Sequence, residues 1–482
     1  MIEPVAVNWA AMEPVLPELL LIGVGVLLIG LDLFLPRQRQ LLPWLTVVGC
    51  LAALAMVLGS RPVSAFGGMF FTDGYATVFK AICLGGAILT ALMSESYRTV
   101  AGMRQGEHYS LMLFSLVGML VMASAGDLIT LYLGLELMAL PIYAMVGLHK
   151  TDRRTSEAAA KYFLLGGFAS ALLLFGMSLV YGLTGTTDLI RIGELIDTLH
   201  LAANPALLAA LALLIAGFGF KVAMAPFHLW TADVYEGAPT IVTSFMSVAA
   251  KAAGFAVFGR VLLQGLPQLY DHWGPVLAVL AVLTMAVGNI TALCQRSLKR
   301  MLAYSAMAHA GYALLGLLAG SAEGMAATMT YLFIYLFMNT GAFAVLMLLS
   351  RADGGGEALD DCRGLATRSP MVAALMLVYL FSLTGIPPTA GFVGKFFLLK
   401  AAFTAGYTTT VVLAVIFSAI SAYFYLRVVR YMYMSEPQQE GAGPLCCSPG
   451  MLAALTLCLL GVIGLGLFPG PLLGWTTWIL QG

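Results

Sequence analysis

The sequence predicts an all-α polytopic membrane protein of about fourteen transmembrane helices, with two inverted five-helix repeats and broken helices at positions 7 and 12. Three observations carry that expectation: the composition, the spacing of apolar runs and the one-sided distribution of basic residues. Of 482 residues, 60% are apolar and only 10% are charged, where a soluble domain carries about a quarter charged residues. Mean hydropathy is +0.93. The 24 basic and 24 acidic residues cancel and are too few to cover a water-facing surface of this size. No polybasic tract points to nucleic acid.

A helix needs about 20 apolar residues to cross a hydrocarbon core about 30 Å thick. Read in order, the spans run Val15 to Leu35, Leu41 to Gly59, Tyr75 to Ser94, His108 to Ala125, Leu128 to Leu148, Ala158 to Leu183 and Pro205 to Trp230. The second seven run Pro239 to Leu263, Pro275 to Leu293, Leu298 to Ala319, Gly324 to Leu349, Pro370 to Phe403, Thr408 to Met434 and Met451 to Phe468. The first span follows an acidic start without a basic n-region, so it is expected to be a retained helix rather than a signal peptide. Fifteen basic residues fall on one side: Arg37, Arg39, Arg98, Arg104, Lys150, Arg153, Arg154, Arg296, Lys299, Arg300, Arg351, Arg363, Arg368, Arg427 and Arg430. The other side has Arg61, Arg191, Arg260 and Lys400. Basic residues stay in the cytoplasm, which places both termini outside it. The largest loops, Thr184 to Asn204 and Arg351 to Ser369, are about 20 residues each and cannot hold a catalytic domain of ordinary size. The chemistry is therefore expected inside the bilayer.

Seven cysteines at 50, 83, 294, 362, 446, 447 and 458 form no CxxC pair and no Cys/His cluster. No metal centre or disulfide framework is expected from them. Charges within apolar spans are costly and mark function by default. Glu136, Lys221, Lys251 and Lys395 lie deep in spans, while Asp32, Lys80, Lys161 and Lys400 lie nearer ends, where a long side chain can snorkel. His228 and His309 add groups that change charge near neutral pH. A static set of ion pairs is the bland alternative. The sharper reading is a proton path, because burial disfavours an ammonium while a nearby carboxylate favours it. Glu136 and Lys221 form the natural couple, and Lys251 and Lys395 have no carboxylate close in sequence.

Two spans are expected to break. Pro226 follows Lys221 by five residues in KVAMAPFHLWTADVYEGAP, and Pro387 and Pro388 precede Lys395 in GIPPTAGFVGKF. Proline removes a helical hydrogen bond and clashes with the turn before it. Unwound backbone at that depth survives only where protein or a hydrated cavity covers it. The breaks fall five spans apart, so spans four to eight and nine to thirteen read as repeats of opposite topology, a transporter signature. The expected organisation is an N-terminal three-helix segment (1–107), a first repeat (108–264), a second repeat (265–434) and a C-terminal helix (435–482).

The segments YLGLELMALPIYAM (132–145), EAAAKYFLLGGFAS (157–170), APFHLWTADVYEGAPT (225–240), KRMLAYSAMAHAGY (299–312) and GIPPTAGFVGKF (385–396) resemble the antiporter-like membrane subunits of proton-translocating NADH:quinone oxidoreductase, respiratory complex I. The resemblance covers essentially the whole chain. A lysine on span twelve, here Lys395, and the lack of a long lateral helix after Phe468 resemble the subunit N branch, similar to mitochondrial NADH dehydrogenase subunit 2. The chain departs from the family pattern at Ala232 and Ile241, where proline is usual at the first and frequent at the second.

The resemblance implies a proton path in which Glu136 pairs with Lys221, Lys251 relays to His309, and Lys395 completes the central axis. His228 and Asp233 are accessory candidates for proton entry, Lys161 is a further accessory candidate, and the hydroxyls of Tyr304 and Ser305 would hold connecting water. It implies no cofactor on this chain, with NADH, flavin, iron–sulfur clusters and quinone handled by other subunits. It implies a home in the cell inner membrane, with other membrane-arm subunits and, through them, a peripheral arm as partners. Competing expectations are a monovalent cation/proton antiporter subunit, a purely structural subunit, and a related complex with a different electron donor.

Overall fold

The computed structural model describes residues 9–101, 105–350, 355–436, 445 and 447–481. Arg104, Arg351 and Cys446 lie outside the described residues.

Among the described residues, the regular structure is helical apart from one short hairpin. α1 (Leu16–Phe34) and α2 (Leu42–Gly59) are followed by β1 (Ser64–Ala65) and β2 (Phe70–Phe71), which pair antiparallel with Ser64 opposite Phe71. Then come α3 (Gly74–Ala101), α4 (Gln105–Ser124), α5 (Leu128–Val146), α6 (Arg153–Thr184), α7 (Leu189–Thr198), α8 (Pro205–Lys221), α9 (Leu229–Gly237), α10 (Thr240–Phe245) and α11 (Lys251–Arg260). The remainder is α12 (Tyr270–Leu293), α13 (Leu298–Leu318), α14 (Ala322–Leu349), α15 (Leu365–Arg368), α16 (Pro370–Thr384), α17 (Ala390–Thr404), α18 (Thr408–Met434), α19 (Pro449–Leu467) and α20 (Gly470–Gln481). Among the described residues, twelve helices are long and apolar enough to cross a membrane, and α8 and α16 are shorter apolar helices.

Helix starts follow local chemistry. The Asp127 carboxylate accepts from the Ile129 and Thr130 amides ahead of α5, and Ser297 Oγ accepts from Arg300 N ahead of α13. These caps satisfy amides that the helix itself leaves free. Proline opens α8, α16 and α19, where its missing amide costs nothing.

Both expected breaks are present. α8 stops at Lys221 and α9 begins at Leu229, with Pro226 between them; α16 stops at Thr384 and α17 begins at Ala390, with Pro387 and Pro388 between them. Each break re-satisfies its freed backbone. Trp230 Nε1 donates to Phe220 O at 3.0 Å, and Ala225 N donates to Thr284 Oγ1 at 3.0 Å. At the second break Gly391 N donates to Ser382 Oγ at 3.1 Å. Such internal pairing is what permits non-helical backbone at this depth.

The helices sort into an inner and an outer set. Every residue from Thr240 to Leu262, which includes α10 and α11, is buried, and so is nearly all of α13, whereas α18 and the Met12–Phe34 span are mostly exposed on the outside of the bundle. An inner helix shielded by others is the place where a charge meets no lipid. The expected span from Pro239 to Leu263 is not one uniform helix: a π-helical turn over Met246–Ala250 separates α10 from α11, immediately before Lys251. Among the described residues, the hairpin, the amphipathic α7 within the Thr184 to Asn204 loop, the short α15 within the Arg351 to Ser369 loop and α20 after Phe468 lie outside the expected spans.

Candidate functional site

Lys251, His309 and Lys395 are all buried, with 2%, 3% and 5% of their surfaces exposed. None of the three makes an ion pair with a carboxylate among the described residues. Lys251, at the start of α11, donates to Ala306 O on α13 at 2.6 Å. That carbonyl lies one helical turn before His309, so Lys251 and the imidazole address the same stretch of α13.

His309 sits in a cage of tyrosines. Its Nδ1 shares a hydrogen bond with the Tyr331 hydroxyl, and its Nε2 lies 3.2 Å from the Tyr425 hydroxyl. Tyr425 in turn bonds Ser305 Oγ. The rings of Tyr312, Tyr331 and Tyr335 stand 6.0, 6.1 and 5.3 Å from the imidazole, centroid to centroid. Hydroxyls both donate and accept, so this cage holds either tautomer of the ring. The positive fields of Lys395 and Lys251 both reach His309.

Lys395 reaches back across the second break. Its Nζ donates to Thr384 O at 2.8 Å and Ser418 Oγ at 2.9 Å, and lies 4.6 Å from the centre of the Tyr312 ring. Thr384 ends α16, so its carbonyl carries no helical partner and lies at the negative end of the helix dipole. A cation there is held by backbone dipoles rather than by a counter-ion. Gly385 makes the approach possible: its φ is 90°, and a Cβ there would lie 3.0 Å from Lys395 Cδ. An L side chain at that position is strained and crowds the lysine stem.

Lys221 ends α8 just before the first break and is 8% exposed. The Glu136 carboxylate on α5 acts on it electrostatically, but the two make no direct ion pair, contrary to the simplest reading of a joined couple. Glu136 Oε1 is buried without a partner. α6 packs against both α5 and α8. Lys221 Nζ instead sits 5.9 Å from the Phe220 ring centre.

The accessory candidates divide. Lys161 bonds both Asp233 and Glu157 at 2.9 Å, and Arg300 reaches Asp233 at 3.3 Å and also pairs with Glu236. This is a half-exposed charge network on one end of the bundle, with Tyr304 half-buried beside Arg300. His228 precedes α9, and its Nδ1 is buried without a partner. Ser305 Oγ is bonded to the Tyr425 hydroxyl.

One expectation is corrected. Lys80 does not snorkel: it is 3% exposed and its Nζ lies 2.7 Å from Glu18 Oε1 on α1. The partner is 62 residues away in sequence, so nothing near Lys80 announces it. Asp32 does pair near its helix end, with Arg39 at 2.6 Å, and Lys400 is exposed. Arg260, within the expected span from Pro239 to Leu263, is 1% exposed and is held by Asp73 in two hydrogen bonds of 2.9 Å. Sequence reasoning also missed Tyr331, Tyr425 and Ser418, whose only signal was a hydroxyl on an otherwise apolar span.

Comparison with known proteins places this architecture. Residues 125–421 match the family described as NADH:quinone oxidoreductase/Mrp antiporter, TM. NADH-quinone oxidoreductase subunit N of Desulfovibrio desulfuricans is 58% identical over 478 residues, covering 95% of each chain. Subunit N 2 of Rhizobium meliloti is 46% identical, covering 96% of each. A chain of respiratory complex I from Thermus thermophilus superposes with a TM-score of 0.81 at 37% identity, over 95% of this chain and 98% of that one. A chain of the Mrp complex from Dietzia shares the fold, with a TM-score of 0.82 at 20% identity over 98% and 97%. The chain belongs to the NADH-quinone oxidoreductase subunit N family, within the wider NADH:quinone oxidoreductase/Mrp antiporter group.

Proposed function

We infer that the chain is a proton-translocating membrane subunit of NADH:quinone oxidoreductase, and that Glu136, Lys221, Lys251, His309 and Lys395 carry its protons. The single observation that carries the site is the pair Lys251 and Lys395: two buried lysines bound to a backbone carbonyl and, for Lys395, a hydroxyl, with no carboxylate paired to them among the described residues. A scaffold gains nothing from such groups, since apolar residues of similar volume stabilise a core as well or better. A carrier needs them, because a lysine without a fixed counter-ion exists charged or neutral according to its neighbours. Redox chemistry is assigned to other subunits of the complex, with NADH, flavin, iron–sulfur clusters and quinone bound there and the other membrane-arm subunits as immediate partners.

In this reading, a proton reaching Glu136 weakens its hold on Lys221. Lys221 then passes its proton inward toward Lys251, and the Lys251–His309–Lys395 stretch conducts by alternating charge. Tyr425 and Tyr331 orient His309, and the Lys161–Asp233 network and His228 attend proton uptake. Counting each broken pair as one span makes fourteen, with both termini on the periplasmic face of the inner membrane. Residues 108–264 and 265–434 form the inverted repeats. Two features support that division. The residue before α5 bridges the loop after α6 (Asp127 with Asp188), and the residue before α13 bridges the loop after α14 (Ser297 with Ala358). Glycines also permit close crossing in both halves, Gly118 against Met138 N and Gly288 against Ala308 N.

The test is purification of the tagged chain from its native membrane. An NADH-oxidising peripheral arm should co-purify, and NADH should drive proton uptake into proteoliposomes regardless of sodium. Sodium-dependent uptake without such an arm would favour the cation antiporter instead. Cysteines at Arg153 and Arg191 test the orientation, with only the second expected to label from the periplasm.

A further inference from the structure

A second group of charges lies outside the axis above, at the face where α1 and α3 begin and α2 ends. Lys80 Nζ is 2.7 Å from Glu18 Oε1, with the side chains 3% and 4% exposed. Glu18 Oε2 is buried and has no partner. Lys80 also walls a cavity of about 250 Å³ with Glu13, Ser60, Thr72 and Thr77. Glu13, Gly59 and Ser60 on its rim are exposed, so the cavity opens where these helix ends meet water. Lys80 acts electrostatically on Asp73, and Asp73 holds Arg260, the last residue of the helix that Lys251 begins. Arg260 lies nine positions after Lys251, a rise of about 14 Å. Charges of alternating sign therefore run from α1 through α3 to the helix that carries Lys251.

Fastening α1 to α3 does not require ions, because a buried pair is often no better than apolar residues of the same volume. A carboxylate with one idle buried oxygen, joined to a lysine that walls an open cavity where Glu13, Ser60, Thr72 and Thr77 interrupt an otherwise apolar lining, is arranged to pass a proton. We propose that Glu18 and Lys80 form a second proton-transfer couple that releases protons through this cavity to the face where α1 begins; this rests on the proton-translocating reading above.

The step balances. A proton arriving from the core side bonds to Glu18 Oε2 and makes a neutral carboxylic acid. The Lys80 ammonium, now buried without its counter-charge, gives one proton to cavity water and becomes a neutral amine. The acid then returns its proton to the amine, restoring carboxylate and ammonium. One proton has entered and one has left. Asp73 and Arg260 stay charged throughout, and Glu13 at the rim favours departure of the released cation.

Lys80→Arg is the discriminating variant, since arginine preserves the ion pair but does not release its proton at any working pH. In the assembled complex reconstituted in proteoliposomes, NADH-driven proton uptake should fall about tenfold or more, since bridging water recovers part of the about 10²–10⁴-fold that a positioned proton donor contributes. Glu18→Gln should do the same. Where Lys80→Arg fails to assemble, the uncharged pair Glu18→Gln with Lys80→Met decides instead, and it too should lose uptake. Lys221→Met serves as the reference. If Lys221→Met is impaired while the Lys80 variant pumps at full rate, this proposal alone is overturned and the pair is a static fastener. If Lys221→Met also pumps at full rate, the proton-translocating site itself is wrong.

Discussion

Replacing Lys395 separates a proton carrier from a fixed charge. Methionine at this position removes two charge-assisted hydrogen bonds, to Thr384 O at 2.8 Å and Ser418 Oγ at 2.9 Å, and the contact with the Tyr312 ring. It orphans little, because Ser418 Oγ already donates to Thr384 O at 3.2 Å and keeps that carbonyl satisfied. The desolvation of a buried ammonium is relieved at the same time. The net change in stability should therefore stay within about 1–2 kcal/mol, and the complex should assemble. Proton transfer should suffer far more. A positioned proton donor contributes about 10²–10⁴-fold, and water bridging the gap recovers part of that, leaving a loss of about tenfold or more. Tenfold corresponds to about 1.4 kcal/mol in the barrier. Lys395→Arg preserves the positive charge and can donate to the same two acceptors, yet keeps its proton. Both variants should lose NADH-driven proton uptake in proteoliposomes at equal assembled content. Full uptake with arginine alongside loss with methionine would refute the carrier argument and make Lys395 an electrostatic fixture.

The same logic extends to other residues. Lys221→Met and Glu136→Gln should each impair proton uptake in the assembled complex, and Glu136→Asp should be milder, because the carboxylate already acts on Lys221 through space rather than by contact; equal loss in Asp and Gln variants would count against that. Tyr425→Phe should slow uptake, since it removes the hydroxyl joining His309 Nε2 to Ser305; an unchanged rate would leave the cage a packing feature. At the membrane edge, burial pushes the Asp73 carboxyl up, but the Arg260 guanidinium and the Ala76 amide outweigh that and hold it below the usual carboxylate range. A depressed folded-state value means the pair contributes stability above about pH 4 and loses it as pH falls further. Asp73→Asn should cost on the order of 3 kcal/mol at neutral pH by stranding Arg260, and should flatten that acid limb; an unaltered acid melting profile would contradict the assignment.

What the sequence made legible follows from the range of each interaction. Proline and glycine act on their own neighbours, so both breaks were readable to within a few residues from Pro226 and from the Gly385–Gly394 segment. Charges in apolar runs are equally local signals, which is why Lys221, Lys251, His309 and Lys395 stood out. Their partners did not. Lys251 bonds the carbonyl of Ala306, 55 positions away, and Lys395 bonds that of Thr384 across the break. A carbonyl belongs to every residue and leaves no trace in composition. Tyr425 reaches His309 from 116 positions away, and one tyrosine in an apolar span looks like any other. Lys80 was misplaced for the same reason, since Glu18 lies on another helix. The hairpin and α7 were missed because a search for spans passes over short elements in loops.

The central claim is that buried lysines without counter-ions move protons when NADH is oxidised. The most direct measurement is the number of protons taken up per NADH oxidised by proteoliposomes carrying the assembled complex with Lys251→Met. Lys251 is the most buried of the row, at 2% exposed, on a stretch that is buried from Thr240 to Leu262. Loss of the Ala306 contact removes one hydrogen bond and no ion pair, so assembly should survive. The account predicts a proton-to-NADH ratio well below that of the unmodified complex, at equal content of assembled enzyme. An unchanged ratio at an unchanged rate of NADH oxidation would contradict it.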